Sequence, residues 1–277
     1  MSKTLRELHN ECTNLLTGVV EFPRREAELL LMAFFKWDQL YFITHQEDSV
    51  DSTDIELQRW IKLRCSNYPL EYLTHEVSFY SKKFYIDEGA LIPRPETEIL
   101  IDEMLKVIPK DKSITLVEVG VGSGIISIML ALLLPNVHII GLDISDAALK
   151  IAAHNIDHFC LNDRIELRKS DLLSAVNEQV DVLVSNPPYI ADDAILELNL
   201  SFEPQNALFG GQKGDELIHR LLDQIIERKI PIFGFEMGYD QRLSVQQYLN
   251  ENAIQSVQFY KDFSGLDRGF IARMNDE

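Results

Sequence analysis

The residues best able to do chemistry stand in the tetrapeptide Asn186-Pro187-Pro188-Tyr189, directly after the apolar run Val180–Ser185. A strand ending this way projects the turn over the carboxyl edge of a sheet, where ligands bind in open α/β folds. Two successive prolines fix φ and remove two backbone donors, so the turn is rigid and rich in acceptors. The Asn186 side-chain oxygen and the Pro187 carbonyl can accept both hydrogens of a planar NH2 group. The Tyr189 ring can stack on the flat group that carries that nitrogen. An amide or exocyclic amine nitrogen shares its lone pair with the neighbouring π-system and is a poor nucleophile. Two acceptors on its hydrogens orient it, and alignment of this kind contributes up to roughly 7–11 kcal/mol. A nitrogen that takes a methyl group from a sulfonium gains positive charge, so nearby carbonyl oxygens stabilise the transition state more than the ground state. Asn186, Pro187 and Tyr189 are therefore the candidate catalytic residues, and no strong base is expected.

A second constellation offers a place for a methyl donor. Glu118-Val119-Gly120-Val121-Gly122-Ser123-Gly124 ends one strand and opens a helix. Its glycines permit a tight turn and let a ligand approach the backbone at a helix N-terminus. The nicotinamide fingerprint GxGxxG would require glycine at position 125, where Ile125 stands. Asp143 closes the next strand, where a carboxylate can accept both ribose hydroxyls of a nucleoside. The combination favours S-adenosylmethionine over a dinucleotide.

Other polar groups carry less. His154 and His158 are spaced to share a helix face, but no third ligand is suggested nearby, so a solvated face is expected and no metal. Asp192 and Asp193 read as a polar loop or cap. Ser78, Ser81 and Ser201 lack a nucleophile-elbow context. Cys12, Cys65 and Cys160 form no CxxC pair, which speaks against a disulfide framework or zinc knuckle and for a reducing cytosol.

The elements that must position these groups follow from periodicity. Leu5, Leu8, Leu15 and Leu16 share one helical face; Phe22-Pro23 opens a second helix through Ala27, Leu30, Leu31 and Phe34. A third helical stretch, from about Thr53 to Cys65, carries Ile55, Leu57, Trp60, Ile61 and Leu63. Between Val77 and Ile86 the period becomes two, which predicts a β-hairpin turning around Ser81-Lys82-Lys83. Strands are then predicted at Ile114–Val119, Val137–Asp143, Arg164–Lys169, Val180–Ser185, Pro231–Glu236, Gln255–Tyr260 and Gly269–Arg273. Helices are predicted at Glu96–Ile108, Gly124–Leu134, Asp146–Phe159, Asp215–Arg228 and Tyr239–Glu251. Buried strands alternating with helices mean an α/β fold with a parallel sheet covered on both faces. Only a short connection separates the last two strands, which predicts an antiparallel pair.

The 277 residues suggest two domains, and 46% hydrophobic with 25% charged residues is globular composition. The net charge of −18 repels a phosphate backbone, so direct DNA binding is not expected; a basic protein partner suits it better. The apolar stretch Ile125–Leu134 is too short to span a bilayer, and MSKTLRELHNE has no apolar signal core, so a cytoplasmic protein without membrane contact is expected.

With these residues in view, the sequence resembles the PrmC/HemK family, protein-(glutamine-N5) methyltransferases acting on the GGQ glutamine of class 1 peptide chain release factors. The likeness spans nearly the whole chain. Arg24-Arg25-Glu26-Ala27-Glu28-Leu29-Leu30 and Pro69-Leu70-Glu71-Tyr72-Leu73 match the family's helical N-terminal domain. Leu91-Ile92-Pro93-Arg94-Pro95-Glu96-Thr97-Glu98 matches its signature at the entry to the catalytic domain. NPPYI, FEP-x-x-AL-x-GG and the closing Lys261-Asp262-x-x-Gly265-x-Asp267-Arg268 complete the set.

The resemblance implies a Rossmann-like, seven-stranded class I methyltransferase domain over 91–277. It further implies a helical substrate-recognition domain over 1–75 and a β-hairpin linker over 76–90. It places cofactor contacts at Gly120, Val121, Gly122, Ser123, Gly124, Asp143, Asp171, Leu172 and Asn186. The substrate motif falls on Asn186, Pro187, Pro188 and Tyr189. S-adenosyl-L-methionine would be the methyl donor, S-adenosyl-L-homocysteine its product, and class 1 release factors the partner, with no metal. Two positions depart from the family pattern: Val121, where the backbone makes the contact, and Leu172, where an aromatic often stands. The alternatives are an adenine-N6 methyltransferase acting on DNA or RNA, since adenine presents the same planar NH2, and an inactive S-adenosylmethionine-binding adaptor. Gly210-Gly211-Gln212 repeats the substrate tripeptide within the chain, and a turn is the expected reading.

Overall fold

The computed structural model describes residues 3–252, 254 and 256–274. The chain divides into two units, Met1–Glu76 with Glu197–Phe202, and Val77–Leu196 with Glu203–Glu277.

The first unit is built from α1 (Leu5–Leu16), α2 (Pro23–Phe35), α3 (Gln39–Thr44), α4 (Ile55–Cys65) and α5 (Leu70–Thr74), with a two-residue pairing of β1 (Lys3–Thr4) and β2 (Ser49–Val50). Thr4 and Glu7 form a reciprocal capping box that starts α1, and Pro23 sits at the tolerated first turn of α2. The buried stripe of α1 is Leu5, Leu8, Cys12 and Leu16. Leu15, expected on that face, is exposed because it falls one helical step, about 100°, from Leu16 at the edge of the stripe. Ile55 is likewise exposed at the first position of α4, while Leu57 and Ile61 are buried. Arg64 and Glu26 pair at 2.9 Å between α4 and α2, and Phe202 packs edge-on to Tyr68 with ring centroids 5.3 Å apart.

The second unit begins at Val77, within the hairpin of β3 (Glu76–Phe79) and β4 (Lys82–Tyr85). The turn lies at Tyr80-Ser81, one position earlier than the sequence suggested. Both residues are left-handed (φ 49° and 56°), as a tight two-residue hairpin requires, so Lys82 and Lys83 belong to β4. There follow α6 (Thr97–Val107), β5 (Ile114–Val119), α7 (Ile125–Leu133), β6 (Val137–Asp143), α8 (Asp146–His158), β7 (Ile165–Lys169) and β8 (Val182–Ser185). A small parallel pair, β9 (Ile190–Ala191) with β10 (Phe209–Gly211), precedes α9 (Glu216–Glu227), β11 (Ile232–Glu236), α10 (Arg242–Glu251), β12 (Ser256–Lys261) and β13 (Asp267–Arg273). The seven-stranded sheet has the order β12-β13-β11-β8-β5-β6-β7. Strand β13 runs antiparallel to both of its neighbours and the remaining pairs are parallel. Helices α6, α7 and α8 pack side by side in one layer. Helices α9 and α10 cover the other face, closing on Val117, Leu142, Leu183 and Phe233 with Ile218, Leu222, Val245 and Leu249.

Most expected elements match within a residue or two. Gln255, placed in a strand from sequence, lies outside the described residues. Helix α10 starts at Arg242 rather than Tyr239. The reason is local: the Gln241 side chain accepts from the Gly238 N–H and donates to the Tyr189 carbonyl, which holds 238–241 as a turn.

Candidate active site

Strand pairing brings four segments level at the carboxyl edge of the sheet. Phe235 of β11 faces Ser185 of β8, Ser185 faces Val119 of β5, and Val119 faces Leu142 of β6. The next residues are Glu236, Asn186, Gly120 and Asp143, which therefore form one row where each strand stops.

A cavity of about 400 Å³ opens beside this row. The loop Gly120–Gly124 forms one wall. Gly120 and Gly124 have φ of 76° and 84°, the left-handed region where a side chain is strained, and a Cβ on Gly124 would also press Ala152 at 3.3 Å. The Gly120 and Val121 N–H groups donate to the Leu142 carbonyl, which folds the loop back on β6. Asp143 lines the cavity and accepts from the N–H of Gly122 at 2.9 Å and of Ser145 at 2.9 Å, so it holds the loop. Burial raises its carboxyl pKa, opposed by those N–H donors. Asn155, almost fully buried, donates to the Ser123 carbonyl and binds both backbone groups of Tyr85, tying the loop to the hairpin.

Glu118 lines the same cavity from within β5, nearly inaccessible to solvent. Its carboxylate accepts from the Ser127 N–H at 2.9 Å and from the Ser127 hydroxyl. Burial outweighs both bonds and pushes its pKa up to about 8. Asp171 lies on the rim, 3.4 Å from Arg220. Leu172 lines the cavity and also joins the hydrophobic core, in a left-handed conformation (φ 47°).

Asn186, Pro187 and Pro188 line the far end of the cavity. Tyr189 turns its hydroxyl onto Glu236 Oε1 at 3.1 Å, and burial together with that carboxylate raises the phenol pKa. Glu236 Oε2 accepts from Thr97 Oγ1 at 2.7 Å, and Thr97 Oγ1 accepts from Asn186 Nδ2 at 3.2 Å. Burial raises the Glu236 pKa against the pull of Thr97, Tyr189 and the Arg268 charge. Arg94 pairs with the buried Glu203, which also accepts from the Ile92 N–H at 2.9 Å.

The turn has a second support. A Cβ on Gly210 would come within 2.4 Å of the Pro188 carbonyl, and one on Gly214 within 2.4 Å of the Tyr189 carbonyl. Gly210 and Gly214 are thus packed against the back of the tetrapeptide, while Gln212 is exposed. His154 lies against the Tyr85 ring and His158 against Phe159. No group of three potential metal-ligating side chains gathers among the described residues.

Residues 7–74 match the family model "PrmC N-terminal domain" and residues 96–201 match "Methyltransferase small domain". A release factor glutamine methyltransferase of Koribacter versatilis is 35% identical over 259 residues, 91% of each chain. That of Clostridium botulinum is 36% identical over 257 residues, 90% of this chain and 91% of its own. The chain belongs to the release factor glutamine methyltransferases. Its fold is shared more widely. The catalytic domain of human METTL16, solved with an RNA hairpin of the MAT2A 3′ untranslated region, superposes with a TM-score of 0.59. The two are 15% identical, over 70% of this chain and 76% of that one. As a release factor glutamine methyltransferase the protein is an S-adenosylmethionine-dependent enzyme.

Sequence reasoning left Thr97, Glu203, Glu236 and Arg268 of this methyltransferase without a role. Thr97, Glu203 and Arg268 lie inside segments that carry the family resemblance, so their presence was visible and their partners were not. Glu236 had a signal of its own, a lone carboxylate closing the apolar strand Pro231–Glu236. No helix among the described residues is long and apolar enough to cross a membrane.

Proposed function

We propose that the enzyme transfers a methyl group from S-adenosyl-L-methionine to the side-chain amide nitrogen (N5) of the GGQ glutamine in class 1 peptide chain release factors. The observation that carries this is the junction of the cavity with the Asn186–Tyr189 turn. Asn186 commits its NH2 to Thr97, which leaves its oxygen as an acceptor at the end of the cavity.

The donor set fits the methyl donor. Gly120–Gly124 offers a wall with no Cβ at its glycines, Asp143 offers lone pairs for ribose hydroxyls, Leu172 an apolar contact, and Asp171 a negative charge on the rim. When bound, S-adenosyl-L-methionine supplies an electrophilic methyl group on a positively charged sulfur. Asn186 Oδ1 and the Pro187 carbonyl accept the two amide hydrogens of the glutamine and aim its nitrogen. Pro188 keeps the turn rigid, and Tyr189 covers the flat amide. Transfer would join the nitrogen to the methyl carbon at the expense of the sulfur–methyl bond, with S-adenosyl-L-homocysteine as the by-product. Positive charge passes to the nitrogen, where the two oxygens stabilise it, and the extra proton departs to solvent.

The helical unit is the proposed recognition domain for the release factor. The net charge of −18 favours approach of a basic partner in the cytoplasm. The test is methyl transfer from labelled S-adenosylmethionine to a release factor, to its GGQ Gln→Ala form and to duplex DNA. Label on the intact factor alone is the expected result; label on DNA or on the Gln→Ala factor would overturn the assignment.

A further inference from the structure

Glu236 is buried at 1% exposure and, among the described residues, no cation stands within salt-bridge distance of it, the Arg268 charge acting from further off; this is an expensive place for a carboxylate unless its acceptors are needed. Its two oxygens reach opposite ends of the same tetrapeptide. Oε1 takes the Tyr189 hydroxyl, and Oε2 takes the only proton Thr97 has to give. Thr97 then faces Asn186 with a lone pair alone, so only the NH2 end of the Asn186 amide fits against it at 3.2 Å. Among the described residues nothing donates to Asn186 Oδ1.

We propose that Glu236 is a positioning residue for methyl transfer, fixing through Thr97 which end of the Asn186 amide meets the substrate and holding the Tyr189 ring directly. This rests on the reading of Asn186 as an acceptor for the glutamine NH2. Without the carboxylate, the Thr97 hydroxyl is free to donate to Asn186 Oδ1. The amide then turns over and presents a donor to a substrate group that is itself a donor. Thr97 lines the same cavity, but neither it nor Glu236 is hydrogen-bonded to Gly120–Gly124 or to Asp143, so the wall those residues form keeps its own supports.

The test uses T97V, T97S and E236A in the full-length enzyme, with N186A as reference. It measures turnover and KM on a release factor, cofactor affinity by calorimetry and thermal midpoint. T97V preserves shape and the Glu236–Tyr189 bond. It is expected to lower kcat 10- to 100-fold with cofactor affinity near wild type, and to lower the thermal midpoint only by the loss of the one buried hydrogen bond to Glu236 Oε2. T97S restores the hydroxyl and is expected to recover kcat to within about threefold. In the N186A background T97V is expected to cost less than about twofold further, because Thr97 acts through Asn186. E236A is expected to lose at least as much as T97V; should it fail to fold, the T97V and T97S pair decides alone. A folded T97V that turns over like wild type, or that costs as much in N186A as in wild type, would overturn the proposal while leaving the methyltransferase assignment standing. A wild-type enzyme that labels no release factor would remove both.

Discussion

Replacing Glu118 with glutamine isolates a single titration. In the folded protein its carboxyl keeps a proton up to about pH 8, against an ordinary value of 4.5, because burial outweighs the two Ser127 donors. Between those values the native state binds more protons than the unfolded chain, so stability falls as pH rises. The sign is that of a raised acid: the advantage is complete below the unfolded pKa and is lost on passing the folded one. At about pH 5.5 the folded group is still neutral and the unfolded one mostly ionised, a penalty of about 1 kcal/mol. At about pH 8 the penalty has grown to roughly 4 kcal/mol, so wild type loses ~3 kcal/mol from this group across the window. E118Q has no proton to hold, and its stability relative to wild type should rise by about that amount between the two conditions. The assay is urea unfolding followed by far-UV circular dichroism at several pH values. Tryptophan fluorescence would watch the other unit, since Trp37 and Trp60 both lie in the helical one. A wild-type to E118Q difference that stays constant within about 0.5 kcal/mol over this range would refute the reasoning.

Two further outcomes follow from the site. D143A should weaken S-adenosylmethionine binding by roughly 1–3 kcal/mol, since it removes the carboxylate proposed to accept the ribose hydroxyls and frees the Gly122 N–H; an unchanged calorimetric titration would reject that role. G210A drives a methyl group to within 2.4 Å of the Pro188 and Gly214 carbonyls, so it should cost about 1–3 kcal/mol in thermal stability and lower turnover with it; full turnover would show that the back of the turn does not matter.

What could be read in the sequence is what is local. The central strands β5, β6, β8 and β11 are apolar runs that have no other use, and the helices between them carry stripes long enough to count. The glycine loop and Asn186–Tyr189 are contiguous, so their chemistry is written in neighbouring letters. The β9–β10 pair was invisible because strands of two and three residues have no period. The assignment of Glu197–Phe202 to the helical unit was invisible for another reason, since contacts such as Phe202 with Tyr68 join positions far apart in the chain. Thr97 and Glu236 show the same limit at the site: their hydrogen bond joins residues 139 positions apart, and only the folded sheet makes them neighbours.

The sheet register is what converts these separate letters into one device. Glu236, Asn186, Gly120 and Asp143 each follow a residue locked into the ladder of four adjacent strands, Phe235, Ser185, Val119 and Leu142. The strands resist slippage because both faces are packed, and a one-residue shift would exchange the side chains fitted to the two helix layers. The same apolar packing that stabilises the core therefore sets the lateral order of the site. Glu236 stands at one end of the row, Asn186 next to it, and the glycine loop and Asp143 at the other end, the order in which the proposed substrate and cofactor positions follow. On this argument a mutation deep in β8, such as V184D, would put an unpaired charge at a fully buried position and displace Asn186 relative to both neighbours. It would damage cofactor binding and transfer together, whereas the substitutions at Thr97 separate them.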